Sequence, residues 1–349
     1  MPSRHLAALS LKAGEPLSIQ SRNTPNPGPH EILIQVKALA MNPVDQYQRD
    51  HGLPPVPQYP AILGSDVAGI VHCHGPDVPR TAPAPGTRVL ALATSFFHSG
   101  DPNHGAFQQY VLARCSGVIA LPPDLSYAQG ASLPLAVSTA LTAYTTLSIP
   151  LTTQPAPPSA QPQAILVWGA ASSVGTLAVQ SARALGYVVY AVARGRNHAY
   201  LRSLGATCLF DYTDPCVVSD IVAAVKASGH GLQTAHVVVA GGLEPTLAVL
   251  GECRDPAVPA WVAHSPVLPA EYTRLENVVV RFNFPPTEEG EWERHVGRCF
   301  QGWLKRGLEE GTVVPSPPVE VVGRGLEKVD EALDRVREGV SCRKIVVTL

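Results

Sequence analysis

The chain has 349 residues, too many for one typical hydrophobic core and enough for about two domains. Its formal net charge is −2 and no block of Lys or Arg stands out, which argues against nucleic acid or an anionic membrane surface as a partner. Charged residues make up 15% and hydrophobic residues 45%, with no apolar run as long as a membrane span, so a compact protein outside the membrane is expected.

The opening MPSRHLAALSLKAG has no sustained apolar stretch, so export is not expected and a cytoplasmic location is. Seven cysteines, odd in number and without a C-x-x-C pair, fit reduced thiols in such a compartment. From Glu31 to Ala40, EILIQVKALA alternates apolar and polar side chains as a half-buried strand does. Short strands are predicted over Asp66–His72, Thr87–Ala93 and Phe107–Ala113, separated by Gly- and Pro-rich turns. The first third is therefore expected to form a small, mostly antiparallel barrel or sandwich. A small-residue helix over Leu133–Leu147 and a Pro-rich connector over 150–162 come next.

After the connector the pattern changes. Ala164–Trp168, AILVW, is a continuous apolar run of the kind a buried parallel strand needs. A helix over Thr176–Leu185, a strand over Tyr187–Ala193, a helix around Asn197–Leu204 and a strand at Thr207–Phe210 follow. Helix Val217–Ala227 and strands at Ala235–Ala240 and near Ala260–His264 continue the alternation. Such βα repetition implies an α/β doubly wound parallel sheet with right-handed crossovers. Glu291–Glu310 and Gly325–Glu338 are predicted helices, and Lys344–Leu349 a closing strand. The simplest architecture is a nucleotide-binding domain over 138–284 inserted into a second domain built from 1–137 and 285–349.

The turn after the first buried strand is Gly169-Ala-Ala-Ser-Ser-Val-Gly175. Gly169 permits the tight turn, and small residues from Ala171 through Ser172 and Ser173 let the backbone approach a pyrophosphate. Gly175 allows close helix–strand packing, and the helix N-terminus after it offers N–H groups and a favourable dipole. The string is not a strict G-x-G-x-x-G; its strand–turn–helix setting carries the signal, against the plainer alternative of a turn that binds nothing. The second strand ends Arg194-Gly195-Arg196-Asn197-His198, and no acid occurs between Gly175 and Asp211. Arginines attract a 2′-phosphate where an Asp or Glu would repel it, and one charge-assisted hydrogen bond contributes about 1.5–3 kcal/mol. NADPH is the expected cofactor; the alternative is that Arg194 and Arg196 are solvated loop charges.

No metal site is expected. The segments Asn42-Pro-Val-Asp45-Gln-Tyr47 and Gly64-Ser-Asp66 contain no Cys or His, whereas a catalytic zinc needs thiolate or imidazole ligands at an open tetrahedral position. His72 and His74 flank Cys73 but lack a further ligand at metal-like spacing. Chemistry without a Lewis acid suits hydride delivery to an already activated electrophile rather than alcohol oxidation.

NPVDQYQRDHG, ILGSDVAGIV, NHGAFQQYVLA, LPLAVSTALTAY, GAASSVG, LGATCLFDY and SCRKIVV succeed one another along nearly the whole chain. In that order they resemble the landmarks of the zinc-independent medium-chain dehydrogenase/reductases. Within that superfamily the pattern is similar to quinone oxidoreductases and, more closely, to fungal trans-acting enoyl reductases that serve polyketide synthases. The resemblance implies a Rossmann domain inserted into a GroES-like β-barrel catalytic domain, with the nicotinamide in a cleft between them. It implies that Ser172, Ser173 and Val174 contact the pyrophosphate and that Arg194, Asn197 and Tyr212 surround the 2′-phosphate. Gly241 and Lys344 complete the expected cofactor-binding set. Thr139 is expected beside the nicotinamide, and Asn42, Asp45 and Tyr47 on the catalytic side.

One position departs from the pattern: several trans-acting enoyl reductases carry Lys where this chain has Tyr47, and quinone oxidoreductases carry Tyr. A phenol donates a hydrogen bond to a developing enolate, so Tyr47 is the first candidate for electrophilic assistance, against the alternative of a tyrosine that only shapes the pocket. The expected reaction is NADPH-dependent hydride addition to the β-carbon of an α,β-unsaturated carbonyl or enoyl thioester, free or on a carrier protein of a polyketide synthase. The rival readings are a quinone or enone reductase for free small molecules and a catalytically silent NADPH-binding protein. Monomer and homodimer both remain open.

Overall fold

The structure, a computed structural model, describes residues 2–93, 95–150 and 163–349, so the expected Pro-rich connector lies outside the described residues beyond Pro150. Two compact units emerge: unit 1 is Met1–Leu135 with Thr287–Leu349, and unit 2 is Ala136–Pro286.

Unit 1 opens with an antiparallel ribbon of β1 (Arg4–Leu9) and β2 (Ser18–Asn23). The ten-residue β3 (Glu31–Ala40) follows the alternation read from sequence, and its length lets it pair with three strands at once. After it come α1 (Pro43–His51), β4 (Asp66–His74), β5 (Arg88–Leu92), β6 (Tyr110–Arg114), β7 (Val118–Ala120) and the short α2 (Tyr127–Ala131). Proline at the first position of α1 is favourable because its missing N–H would have no intrahelical partner there.

Unit 2 takes up most of α3 (Pro134–Thr146), whose small side chains are nearly all buried. Then β8 (Gln163–Trp168), α4 (Ser173–Ala184), β9 (Val188–Val192), α5 (His198–Leu204) and β10 (Cys208–Phe210) alternate. They are followed by α6 (Val217–Ser228), β11 (Gly231–Val237), α7 (Leu243–Cys253), β12 (Ala260–His264) and β13 (Val278–Phe282). The six strands lie in the order β10-β9-β8-β11-β12-β13 and are parallel throughout. Ala164 to Trp168 are buried because β8 sits in the middle of this sheet with helices on both faces. Burying each of Ile165, Leu166 and Val167 contributes about 1.5–3 kcal/mol. Strand order reverses between β8 and β11, so the turn leaving β8 lies at the point where open α/β sheets bind ligands.

The chain returns to unit 1 through α8 (Glu289–Gly297), a π-helical segment over Arg298–Leu304 and α9 (Lys305–Glu309). The single helix predicted over Glu291–Glu310 is thus one continuous helical run with a π turn in its middle, which spacing alone does not reveal. Finally β14 (Val319–Arg324), α10 (Val329–Arg337) and β15 (Lys344–Thr348) complete a seven-stranded sheet ordered β14-β15-β3-β4-β5-β7, with β6 on β3. The antiparallel register Val346↔Ala40 carries Lys344, near the end of the chain, to the residues that follow β3. No helix of the described residues is long and apolar enough to cross a membrane.

Candidate active site

In unit 2 the turn after β8 is built by three small residues. Gly169 has φ of 90°, a left-handed backbone that costs a residue with a Cβ about 1 kcal/mol or more. Ser172 caps α4: its Oγ accepts from Gly175 N at 3.0 Å and donates to Gly169 O at 2.8 Å, which locks turn to helix. A Cβ on Gly175 would stand 2.2 Å from Gly169 O and 2.7 Å from Ala170 Cα, so only glycine fits. Ala171 is buried, while Ser172, Ser173 and Val174 are part-exposed at the first turn, where helical N–H groups lack intrahelical acceptors. A helix start of this kind favours an anion.

The end of β9 presents Arg194, whose Nε donates to Tyr212 Oη at 2.7 Å with the guanidinium 5.8 Å from the ring centroid. Arg194 and Arg196 are exposed, and Tyr212 is half-exposed. Asn197 closes a short turn through its N–H to Arg194 O, and His198 Nε2 meets Ala193 O at 3.0 Å. The structure therefore gathers Arg194, Asn197, His198 and Tyr212 at one corner. Sequence reasoning missed Asp211, whose carboxylate accepts from Gly195 N at 2.6 Å. The Thr213 and Gly195 N–H groups hold its carboxyl below the usual range, so an anion stands at the same corner as the arginines. Gly241, exposed with φ of 81°, follows β11, the strand across the reversal in strand order from β8.

Thr139, on α3, is tied to the sheet by a buried amide that the sequence did not flag. Asn283 Nδ2 donates to Thr139 O at 2.9 Å and lies 3.1 Å from Ser265 Oγ, while its Oδ1 accepts from Thr146 Oγ1. Ser265 also contacts His236 Nε2 at 2.8 Å; burial pushes that imidazole down to about 3, with the nearby His264 adding to the effect, so it stays neutral.

In unit 1 Asn42, Asp45, Asp66 and Lys344 form an enclosed polar cluster, none more than 6% exposed. Lys344 Nζ donates to Asn42 Oδ1 at 2.5 Å and to Asp66 Oδ2 at 2.9 Å. Asn42 Nδ2 donates to the same Asp66 oxygen at 2.8 Å, and Asp66 Oδ1 accepts from Leu135 N at 2.6 Å. Asp45 Oδ2 accepts from Asn42 N at 2.8 Å, whereas its buried Oδ1 has no hydrogen-bond partner among the described residues. Burial first, and the Asp66 charge second, push the Asp45 carboxyl up to about 7. Lys344, placed among the cofactor-binding residues by the resemblance, has its ammonium enclosed in this cluster. Asp66, one of its partners, was quoted in a motif but given no role.

Tyr47 lies two residues beyond Asp45 on α1 and points the other way: it is 52% exposed, its ring 6.4 Å from His51. His72 meets Tyr110 edge-on and His74 Nε2 bonds Pro83 O. Among the described residues no three of His, Cys, Asp or Glu gather as a ligand set. All seven cysteines are free.

Residues 28–123 match the alcohol dehydrogenase GroES-like domain. Over 349 residues, the whole of both chains, the sequence is 51% identical to the trans-enoyl reductase tndF of Aspergillus flavipes. It is 53% identical over 290 residues to the trans-enoyl reductase tazE of Aspergillus terreus, covering 83% of this chain and 95% of that one. The fold superposes on an alcohol dehydrogenase superfamily protein from Novosphingobium aromaticivorans with a TM-score of 0.79 at 24% identity, over 99% of each chain.

Proposed function

Because the chain belongs to the medium-chain dehydrogenase/reductase superfamily, in the family of the fungal trans-enoyl reductases, we propose that it is an NADPH-dependent, zinc-independent reductase of activated carbon–carbon double bonds. Its substrate is an enoyl thioester carried by a polyketide synthase in the cytoplasm. The observation that carries this reading is the full-length 51% identity to a trans-enoyl reductase, in a chain whose nucleotide turn keeps its glycines and its serine cap. A nicotinamide cofactor is common to the superfamily; the residues present fit one, since the Ser172-capped start of α4 leaves first-turn N–H groups without intrahelical acceptors beside the small residues of the turn.

Unit 2 holds the nucleotide in this reading. Gly169, Ala171, Ser172, Ser173, Val174 and Gly175 take the pyrophosphate, with Gly241 on the facing turn. Arg194, Arg196, Asn197, His198 and Tyr212 take the 2′-phosphate. The bond from Arg194 Nε to Tyr212 restrains the guanidinium while its remaining N–H donors stay available for a phosphate. Replacing Arg194 with Gln is expected to weaken NADPH binding roughly tenfold or more while leaving NADH binding within about twofold. Titration by nucleotide fluorescence checks this; equal losses for both nucleotides would return Arg194 to the solvated-charge reading.

When bound, the nucleotide supplies hydride to the β-carbon of the substrate. Thr139, held by Asn283, borders the nicotinamide position. In unit 1 the Tyr47 phenol donates a hydrogen bond to the enolate oxygen as charge develops there, with Asn42 and Asp45 at the start of the same helix. Tyr47→Phe is expected to lower kcat about tenfold to a hundredfold with NADPH affinity unchanged. Full activity in that variant would leave Tyr47 with only a packing role.

The deciding experiment compares NADPH oxidation with an enoyl pantetheine thioester and with a matched free enone or quinone. Preference for the thioester supports the trans-enoyl reductase. Tyr47 is the observation that favours the second reading, a quinone or enone reductase, and preference for the free molecule would establish it.

A further inference from the structure

Two buried carboxyl groups and one buried ammonium meet at a single amide. Asn42 Nδ2 lies 2.8 Å from Asp66 Oδ2 and 3.3 Å from Asp45 Oδ2, and its Oδ1 accepts from Lys344 Nζ. Every polar atom of the Asn42 side chain is thereby committed, and its backbone N–H is bonded to Asp45 as well. The Asn42 plane has one orientation compatible with this set, because swapping its O and N would set an NH2 against the Lys344 ammonium and a carbonyl against the Asp66 carboxylate. Lys344 is 2% exposed and Asp66 is fully buried, so each charge is compensated by the other and not by solvent.

The three segments joined here are far apart in the chain. Lys344 opens β15, Asp66 opens β4, and Asn42 precedes α1, the helix that carries Tyr47. The backbone repeats the tie once, through Met41 N to Ile345 O at 2.9 Å. An ammonium committed to Asn42 and Asp66 in this way is poorly disposed to meet a nucleotide phosphate. Removing it would leave Asp66 as an uncompensated buried charge and release Asn42 to rotate.

We propose that Lys344 is a positioning residue rather than a cofactor ligand: paired with Asp66, it fixes the Asn42 carboxamide and the start of α1, and so the reactive face of unit 1. This rests on the reductase reading for its effect on turnover, but not for its effect on Asn42 or on nucleotide affinity.

The test uses the full-length protein with NADPH. Lys344→Met removes the ammonium; Lys344→Met combined with Asp66→Asn removes both charges, which keeps the fold accessible if the single variant does not fold. In the double variant three results are expected: an NADPH Kd within twofold of wild type, a kcat at least tenfold lower, and hydrogen exchange of the Asn42 side-chain amide at least tenfold faster by NMR. A tenfold loss of NADPH affinity would overturn the proposal by making Lys344 a cofactor ligand. A kcat within twofold of wild type, or unchanged Asn42 exchange, would overturn it by reducing the pair to structural charge balance. If wild type itself reduces no activated alkene, the reductase reading fails, and affinity and amide exchange still decide the role of Lys344.

Discussion

Gly175→Ala is expected to abolish useful nicotinamide nucleotide binding, raising the NADPH Kd by tenfold or more and lowering the melting temperature of the protein. The added methyl group would stand 2.2 Å from Gly169 O and 2.7 Å from Ala170 Cα, both backbone atoms that no rotamer change can move aside. Relief requires α4 to shift away from the turn. That shift breaks the bond from Gly175 N to Ser172 Oγ and, through it, the hold of Ser172 on Gly169 O. Overpacking of this kind costs about 1–3 kcal/mol in stability, and the binding loss comes in addition because the first-turn N–H groups move with the helix. Gly297→Ala is the control. Nothing lies within 4 Å of its would-be Cβ, and its place at the end of α8 makes alanine neutral or favourable by up to about 1 kcal/mol. Calorimetry and nucleotide titration of both variants separate the two effects. If Gly175→Ala binds NADPH as wild type does, the turn is not the pyrophosphate cradle.

What the sequence disclosed and what it hid follow from the range of the forces involved. The strand–turn–helix that begins at Ala164 was legible because its parts are local, an apolar run, a turn glycine and small residues leading into a helix, although the Ser172 cap and the helix start at Ser173 were not read. The parallel sheet was legible for the same reason, since each βα unit announces itself within some twenty residues. The ribbon β1–β2 was not, because β2 reads SIQSRN and buries almost nothing, so it has no apolar period to detect. Helix α1 was equally silent. Its residues PVDQYQRDH are nearly all polar, and its stability comes from the proline start, the Asp45 bond to Asn42 N and the packing of its buried side. The polar cluster lay deepest out of reach. Its bonds join residues 302, 278 and 24 positions apart, and nothing near Lys344 in the sequence names Asn42 or Asp66 as its partners. The resemblance singled out Asn42, Asp45 and Lys344 and set the lysine with the nucleotide; the bonds of Lys344 to Asn42 and Asp66 are what the proposal above rests on instead. Asn283 was missed for a simpler reason: it sits in NVVVRFNF, where a single buried amide looks like any polar residue near the end of an edge strand.

Asp45→Asn is expected to reverse part of the pH dependence of stability. In the folded protein the Asp45 carboxyl is pushed up to about 7, chiefly by burial and then by the Asp66 charge, whereas in the unfolded chain it titrates near 4. Between those values the folded state holds a proton that the unfolded state has released. Unfolding free energy therefore falls as pH rises through this window, by about 1.4 kcal/mol per pH unit, and levels off above about pH 7. The buried imidazoles of His236, pushed down to about 3, and His295, pushed down to about 4, act in the opposite direction. They stay neutral while the unfolded chain takes up protons below about pH 6.5, so their contribution is lost as pH falls. The two slopes overlap, and the wild-type curve alone does not separate them. The difference between wild type and Asp45→Asn does, because the histidines cancel. Asparagine keeps the acceptor for Asn42 N and carries no charge, so wild type should lose about 2–3 kcal/mol relative to the variant between pH 5 and pH 8. Urea unfolding at those two pH values measures it. A difference that does not change between them would mean that Asp45 is already ionised at pH 5. Lys344 would then have to balance two carboxylates, and the one orientation that its pair with Asp66 imposes on Asn42 would be the first thing to give way.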